Sequence, residues 1–473
     1  MNYPLISEYI ESIKYAEENF ATLTNLRPVL DDEGNPIMSS GNFAVVFKMQ
    51  DIVTKDIYAV KCFTREQEGR KEAYKKIITA LKSVESDYLV NITFLDYELF
   101  VNPSNSDESE FPVLIMDWVE GITLDKYILK YQGNSFVLHD LCVSFNSLCK
   151  WLISQNFAHG DLKPDNILVR YDGSLVLVDY DGMFTPKMKG EKSREIGSEN
   201  YRHPMRTIDV FNNHIDDFSL AAISLSLKAI SVSYGILDKT ACNEAFIFTK
   251  DDYYSIKDSQ TFNLLKELAY EEVSLMQYIS TFMLAYNKVA LSVHNFEFGE
   301  VKVSNLLKTR DIFIRNDEPM DSLGVIYSYD GKRVLSFDYD VSEEIDIHIK
   351  EGVICICEGA FNSYETRKLN LYLPKSLRFF TKNSFSYSYE RLQWDSPWFK
   401  YQDGIIYSSD FTSCIMQHLK DVTIDERVRI IERNCFNYLD VTNINIPAKL
   451  EIIKENAFKN ATTNSHIVFT DSV

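Results

Sequence analysis

The last third of the chain repeats itself, and a chain that repeats at short intervals has few ways to fold. GVIYSYD at 324–330 returns as GIIYSSD at 404–410, and IKEGVICICEGAFNS at 349–363 is echoed by IDERVRIIERNCFNY at 424–438. PKSLRFFTKNSFSY, from Pro374, and PAKLEIIKENAFKN, from Pro447, both place a phenylalanine at the same distance from the proline, at Phe385 and Phe458. Units this short cannot bury an apolar face alone and have to stack on their neighbours, which predicts a solenoid of short strands over 320–473.

The shared patterns, P-x-x-L-x-x-I/F-x-x-x-x-F and G-I/V-I-Y-S-x-D, resemble leucine-rich repeats of the surface-antigen type found in bacteria and some protists. That resemblance implies a surface for a protein ligand, which could be the substrate held close to a catalytic half. The plainer reading is a module that only caps and stabilises.

Ahead of the repeats the periodicity changes several times. Residues 5–20 read as an amphipathic helix, so that 1–23 form an N-terminal element. NFAVVFKMQD, DIYAVKCF and FPVLIMDWV read as strands. Tyr74, Ile77, Ile78 and Leu81 predict a helix within 65–83, and Leu141, Phe145, Leu148 and Leu152 predict another over 139–156. NILVRYDGSLVLVDYDG predicts two short strands turning at Asp172-Gly173, followed by a loop to 216 and helices to about 310. FSLAAISLSLKAISVSYGIL at 218–237 carries Lys228 and five serines, and is expected to be a buried helix rather than a membrane span.

Acidic residues outnumber basic ones, 69 to 49, for a net charge of −20, which disfavours nucleic acid and anionic lipid as partners. The eight cysteines form no C-x-x-C pair, so free buried thiols are expected. MNYPLISEYIESIKYAEENF lacks a basic start, an apolar core and a cleavage site, and together these features predict a cytoplasmic chain.

The chemistry concentrates in AHGDLKPDNILVR at 158–170. Moving a phosphoryl group from a nucleotide to a hydroxyl needs a carboxylate to orient the hydroxyl, a cation to offset charge and metal ligands to hold the triphosphate. Asp161, Lys163 and Asn166 are one of each type, and Asp179 in LVLVDYDG offers a second hard oxygen ligand suited to Mg²⁺.

The patterns H-x-D-x-K-x-x-N and D-x-x-G resemble those of the protein kinase superfamily. The resemblance spans roughly 24–310 and implies a bilobal α+β fold, with ATP and Mg²⁺ as cofactors and a protein as substrate. It implies Asp161 and Lys163 as catalytic residues and Asn166 and Asp179 as metal ligands. YAVKCF would make Lys61 the phosphate-binding lysine, with Glu72 its partner on the next helix; Gly41, Val46 and Ala59 would enclose the nucleotide. MDWVEG would place Met116, Asp117 and Val119 at the adenine-binding hinge, NYRHP would end the activation segment, and Asp216 in HIDDFSLA would tie down the catalytic loop. Lys163 favours Ser/Thr acceptors.

The chain also departs from that pattern. SSGNFAVVF keeps Gly41 where the family has three glycines, so a stiffer cover is expected. Gly160 replaces the arginine before the catalytic aspartate, which predicts activity independent of phosphorylation at Thr185 or Ser193. Asp181 stands where the family has glycine, and Met205 where it has glutamate. Taken singly, Lys61 is equally a solvated strand lysine, Glu72 with Lys76 an ordinary helix pair, and His159 a packed scaffold residue. Two other readings stand beside the kinase: a pseudokinase scaffold that only senses nucleotide, and a small-molecule kinase of the aminoglycoside or choline type, to whose catalytic loop H-G-D-L is similar.

Overall fold

The computed structural model describes residues 3–41, 43–240, 246–309, 319–337, 345–361, 369–385, 389–417, 423–437, 443–461 and 466–469. Helices α1 (Ile6–Lys14) and α2 (Ala16–Asn19) precede a six-stranded antiparallel sheet. Its strands are β1 (Leu26–Pro28), β2 (Met38–Ser40), β3 (Ala44–Asp51), β4 (Ile57–Phe63), β5 (Ile92–Phe100) and β6 (Glu110–Asp117). They run in the order β1-β3-β4-β6-β5, with β2 beside β3, and α3 (Arg70–Leu81) crosses between β4 and β5.

Alternation along the strands assigns the two faces. Val45, Phe47, Met49, Val60, Cys62 and Val113 are buried under Tyr9, Ile13 and Ala16. Ala44, Ala59, Leu114 and Met116 face α3 and the helical lobe, and Lys61 shares the parity of Ala59. The N-terminal helix is therefore the cover of the sheet's far face, anchored by the Tyr9 hydroxyl donating to the Phe63 carbonyl at 2.7 Å.

The sequence reading places no strand at 92–100, yet β5 forms there. Its register shifts between Leu95 and Leu99, and Tyr97 sits at φ 53°. A bulge breaks the period of two by which a strand is recognised in sequence.

The helical lobe begins with β7 (Ile122–Thr123), α4 (Leu124–Lys130) and α5 (Ser135–Ile153). Asn134 caps α5 by accepting from the Val137 N–H, which moves its start ahead of the apolar period that announced it. Strands β8 (Ile167–Val169) and β9 (Leu175–Leu177) form the expected hairpin, joined by β7. Beyond it α6 (Asp217–Val232) is buried along nearly its whole length, including Lys228, whose ammonium pairs with Glu300. α5 is long and apolar enough to cross a membrane by composition alone, but here its apolar positions pack on α6 and on the repeats.

In the C-terminal third, parallel coils and antiparallel hairpins alternate. Cys355–Ile356 pairs in parallel with Arg333–Phe337, and Ile430–Ile431 pairs in parallel with both Ser413–Gln417 and Ile452–Ile453. The repeated GVIYSYD and GIIYSSD segments are not coils of the solenoid; each opens an antiparallel hairpin, Val325–Tyr327 with Arg333–Phe337 and Ile405–Ser408 with Ser413–Gln417. Equivalent phenylalanines stack from coil to coil, Phe361 on Phe385 at 6.1 Å and Phe436 on Phe458 at 5.1 Å. Seven of the eight cysteines are buried and unpaired; Cys242 lies outside the described residues, as do the ends of several repeat motifs at 362–363, 386–387 and 438.

The repeats dock on the N-terminal end of α5. Phe136 projects from that helix into the repeat core, edge-on to Phe379 at 5.5 Å and to Phe399 at 6.4 Å. Asn134 Nδ2 donates to Thr412 Oγ1 at 3.0 Å and to Ser413 Oγ at 2.6 Å. Arg378 pairs with Glu272 at 2.9 Å and Lys130 with Glu451 at 2.6 Å. Tyr131 and Val137 close over Ile430.

Candidate active site

The loop between α5 and β8 is held from below. The His159 and Gly160 N–H groups donate to the two oxygens of the Asp216 carboxylate at 2.5 and 2.8 Å. Burial raises the Asp216 pKa, opposed by the nearby His159 and by the Gly160 N–H. The fully buried His159 donates from Nε2 to the Val178 carbonyl at 2.9 Å, which makes it a strut between loop and hairpin rather than a base.

Gly160 is required by geometry. Its φ is +85°, and a β-carbon there would lie 1.9 Å from the Gly182 carbonyl oxygen. The Gly160 backbone is held where it is, because its carbonyl also accepts from Arg206 Nη1 at 2.8 Å. Gly160→Ala is expected to cost about 3 kcal/mol or more from left-handed strain and overlap together, read as a lowered urea midpoint. An unchanged midpoint would show that the Gly160–Gly182 contact relaxes freely. The family's arginine could not be accommodated here.

The short turn Pro164–Asn166 brings the loop's polar groups together. Asn166 Nδ2 donates to the Asp161 carbonyl at 2.8 Å and to Asp161 Oδ2 at 3.2 Å, which assigns its Oδ1 as the oxygen left for a cation. Asp161 Oδ1 accepts from the Ser198 N–H at 2.9 Å, and the Lys163 ammonium stands 3.8 Å from Asp161 Oδ2. The Val178 N–H donates to the Asn166 carbonyl at 3.0 Å, so the end of β9 delivers Asp179 beside the loop.

Asp179 sits at φ 66°, and its carboxylate meets the Lys61 ammonium at 2.6 Å. Burial by itself would lower the Lys61 pKa, but the attraction of Asp179 and Asp181 outweighs it and the net shift is upward. Burial opposes ionisation of Asp179 too, and the Lys61 charge overcomes it, leaving that carboxyl below its ordinary value. Tyr180 is buried, its hydroxyl accepting from the Val90 N–H and donating to the Leu177 carbonyl.

The expected pairing of Lys61 with Glu72 does not form. The buried face of α3 is Arg70, Ala73, Tyr74 and Ile77, and Glu72 lies off it, exposed in the first turn. Lys61 takes Asp181 instead, at 2.7 Å, and the Tyr74 hydroxyl donates to the other oxygen of Asp181. In the sequence Asp181 stands out only as a departure from the kinase pattern, and Tyr74 only as a position on the apolar face of a helix.

Ala59 and Met116 are register partners on the inner face, and Val46 lies half-buried beside them. Gly41 is exposed with open space where a side chain would go, so nothing in this structure demands glycine there. At the hinge, the Asp117 and Trp118 N–H groups are held by the Asn91 and Ile57 carbonyls. The Val119 N–H has no hydrogen bond among the described residues.

The segment facing this cluster also carries Glu195, which no motif in the sequence marks. Glu195 accepts from Gln67 Nε2 at 3.1 Å; burial, then the charges of Asp181, Asp179 and Asp161, push its pKa up to about 7. Thr185 is fully buried, and the Ser193 hydroxyl donates to the Glu195 carbonyl.

Comparison with known proteins agrees with this geometry. The protein kinase domain model matches residues 34–283, and the model of the BspA type leucine rich repeat region matches 398–473 in six copies. Mitosis inhibitor protein kinase SWE1 of Candida albicans is 26% identical over 209 residues, 41% of this chain and 17% of that protein. Serine/threonine-protein kinase H1 homolog of Pinctada fucata is 27% identical over 178 residues, 36% of each chain. Serine/threonine-protein kinase PAK 1 of Mus musculus is 23% identical over 193 residues, 40% of this chain and 33% of that one. The chain thus spans little more than a third, at most, of these relatives' lengths.

Proposed function

The chain belongs to the protein kinase family, and from that premise we propose that it is an ATP- and Mg²⁺-dependent protein kinase acting on Ser/Thr hydroxyls. One observation carries the reading: Lys61, Asp179 and the loop residues Asn166 and Asp161, from three separate stretches of the chain, are linked through the Lys61–Asp179 ion pair, the Val178–Asn166 backbone bond and the Asn166–Asp161 bond. Asp161 orients the acceptor hydroxyl and takes up its proton. Lys163, beside that carboxylate, offsets negative charge at the transferring group.

Asn166 Oδ1 and the Asp179 carboxylate are hard oxygen donors, the set that fits Mg²⁺. Once bound, the metal would neutralise charge on the phosphates. Lys61 holds the α- and β-phosphates under a cover formed by Gly41 and Val46, with the adenine against Ala59, Met116 and the Asp117–Val119 backbone. The buried hydroxyls of Thr185 and Ser193 support activity without phosphorylation of this segment.

The unpaired cysteines support a cytoplasmic location, and the net charge of −20 supports a protein rather than a nucleic acid or membrane partner. Docking on α5 engages part of the repeat surface, and a protein ligand would take the rest.

The test is incubation of the purified chain with γ-labelled ATP and Mg²⁺, with polypeptide acceptors and free amino sugars or choline in separate reactions. Label on serine or threonine of a polypeptide is expected. Label on the amino sugar or choline alone would make this a small-molecule kinase, and nucleotide binding without transfer would make it a scaffold.

A further inference from the structure

The two carboxylates on Lys61 are not equivalent. The Asp179 side chain is 43% exposed and the Asp181 side chain 7%, while both stand within 2.7 Å of the ammonium. The open carboxylate can turn to a cation in the cleft. The sealed one has its two oxygens committed, Oδ2 to Lys61 and Oδ1 to the Tyr74 hydroxyl. Tyr74 is itself 1% exposed and lies on the buried face of α3, stacked on Phe94 at 5.5 Å. Arg70, on the same face, is fixed over the Phe63 ring at 4.1 Å. No α3 carboxylate takes part, because Glu72 faces outward.

We infer that Asp181 is the positioning residue of Lys61, and that α3 communicates with the site through the Tyr74 hydroxyl on Asp181 rather than through a charged side chain of its own. The inference rests on the kinase reading for its purpose, but on this geometry for its content. When Asp179 turns to a metal, Lys61 loses one of its two anions and keeps the sealed one, so its ammonium stays aimed into the cleft. A neutral hydroxyl links helix to carboxylate, so the ion pair assembles with the fold and needs no swing of a helix charge from solvent. The carboxylates of Asp161, Glu191 and Glu195, the guanidinium of Arg194 and the imidazole of His159 also lie near this group of side chains.

The test compares the full-length parent with Asp181→Asn, Tyr74→Phe and Glu72→Gln. The first readout needs no nucleotide: the rate at which an amine-acylating reagent modifies Lys61 at pH 9, followed by mass spectrometry. The sealed anion helps hold Lys61 at 5% exposure, so Asp181→Asn frees the side chain to reach the reagent and is expected to accelerate acylation at least about tenfold. Tyr74→Phe should give a smaller acceleration, and Glu72→Gln the parental rate. The second readout is the Michaelis constant for Mg-ATP, expected to rise about tenfold in Asp181→Asn with a smaller change in kcat and none for Glu72→Gln.

Acceleration by Glu72→Gln with Asp181→Asn at the parental rate would overturn the inference. Should Asp181→Asn not fold, Tyr74→Phe carries the test, since it removes one oxygen only; the parental acylation rate for that variant would then overturn the inference. A parent that shows no phosphate transfer counts against the kinase reading, while the acylation rates still decide the anchor.

Discussion

Asp161→Asn is expected to lower phosphate transfer by about 10²- to 10⁴-fold while leaving nucleotide affinity close to that of the parent. The carboxylate of Asp161 receives three donors, the Ser198 N–H, Asn166 Nδ2 and, more distantly, Lys163. An amide of the same shape keeps one acceptor oxygen but turns an NH₂ toward another donor, at a cost of about 1–3 kcal/mol for the mismatch. It also lacks the basic oxygen that draws the proton from an attacking hydroxyl. Lys61, Asp179 and the inner face of the sheet are untouched, so binding of ATP with Mg²⁺ should survive. The measurement is labelled-phosphate transfer beside nucleotide titration, with a melting curve to confirm folding. Transfer at the parental rate would remove Asp161 from the chemistry.

Removing residues 320–473 is expected to unfold or aggregate what remains. Phe136 is 2% exposed and is a member of the repeat domain's core rather than of its own lobe's. Its neighbours Tyr131 and Val137 are buried against Ile430. Truncation exposes these side chains together, at about 1.5–3 kcal/mol for each large one, and leaves Glu272 without Arg378. Such a loss takes a large share of a typical domain's stability. The single substitution Phe136→Ala in the full chain should cost about 3–5 kcal/mol in urea unfolding. A truncated chain that stays soluble with an unaltered melting temperature would make the repeats a separable module. The docked geometry instead makes them a buttress of the helical lobe, whatever ligand the remaining surface carries.

These two cases differ in how much of them is written locally. The catalytic loop was legible because its groups lie within one short stretch: Asp161, Lys163 and Asn166 converge through a single turn, and spacing alone places them on it. Lys61 was legible only through the resemblance of YAVKCF to the kinase strand, since taken singly it reads equally as a solvated strand lysine. Glu72 was misjudged because it stands on the next helix, while the face a helix turns inward is set by which residues find a core; here that face is Arg70, Ala73, Tyr74 and Ile77. The β5 strand escaped notice because a bulge at Tyr97 breaks its period. Glu195 carried no local signal at all, since its environment is made by burial and by carboxylates from two other segments, Asp161 on the loop and Asp179 with Asp181 after β9.

By itself, the order of residues determined the two kinds of architecture, the stacked repeats and the bilobal kinase fold, and the loop that does the chemistry. The repeats and the loop depend on periodicity and short-range spacing, which a chain carries along its length, and the bilobal fold follows from the resemblance of the motifs to the kinase family. Tertiary structure alone decided that Lys61 is anchored by Asp181 under Tyr74, that Gly160 is demanded by the Gly182 carbonyl, and that α5 joins the repeats to the catalytic lobe. Each of these is a contact between surfaces formed by separate elements. Which partners meet there depends on the packing of the whole molecule and not on any one stretch of it.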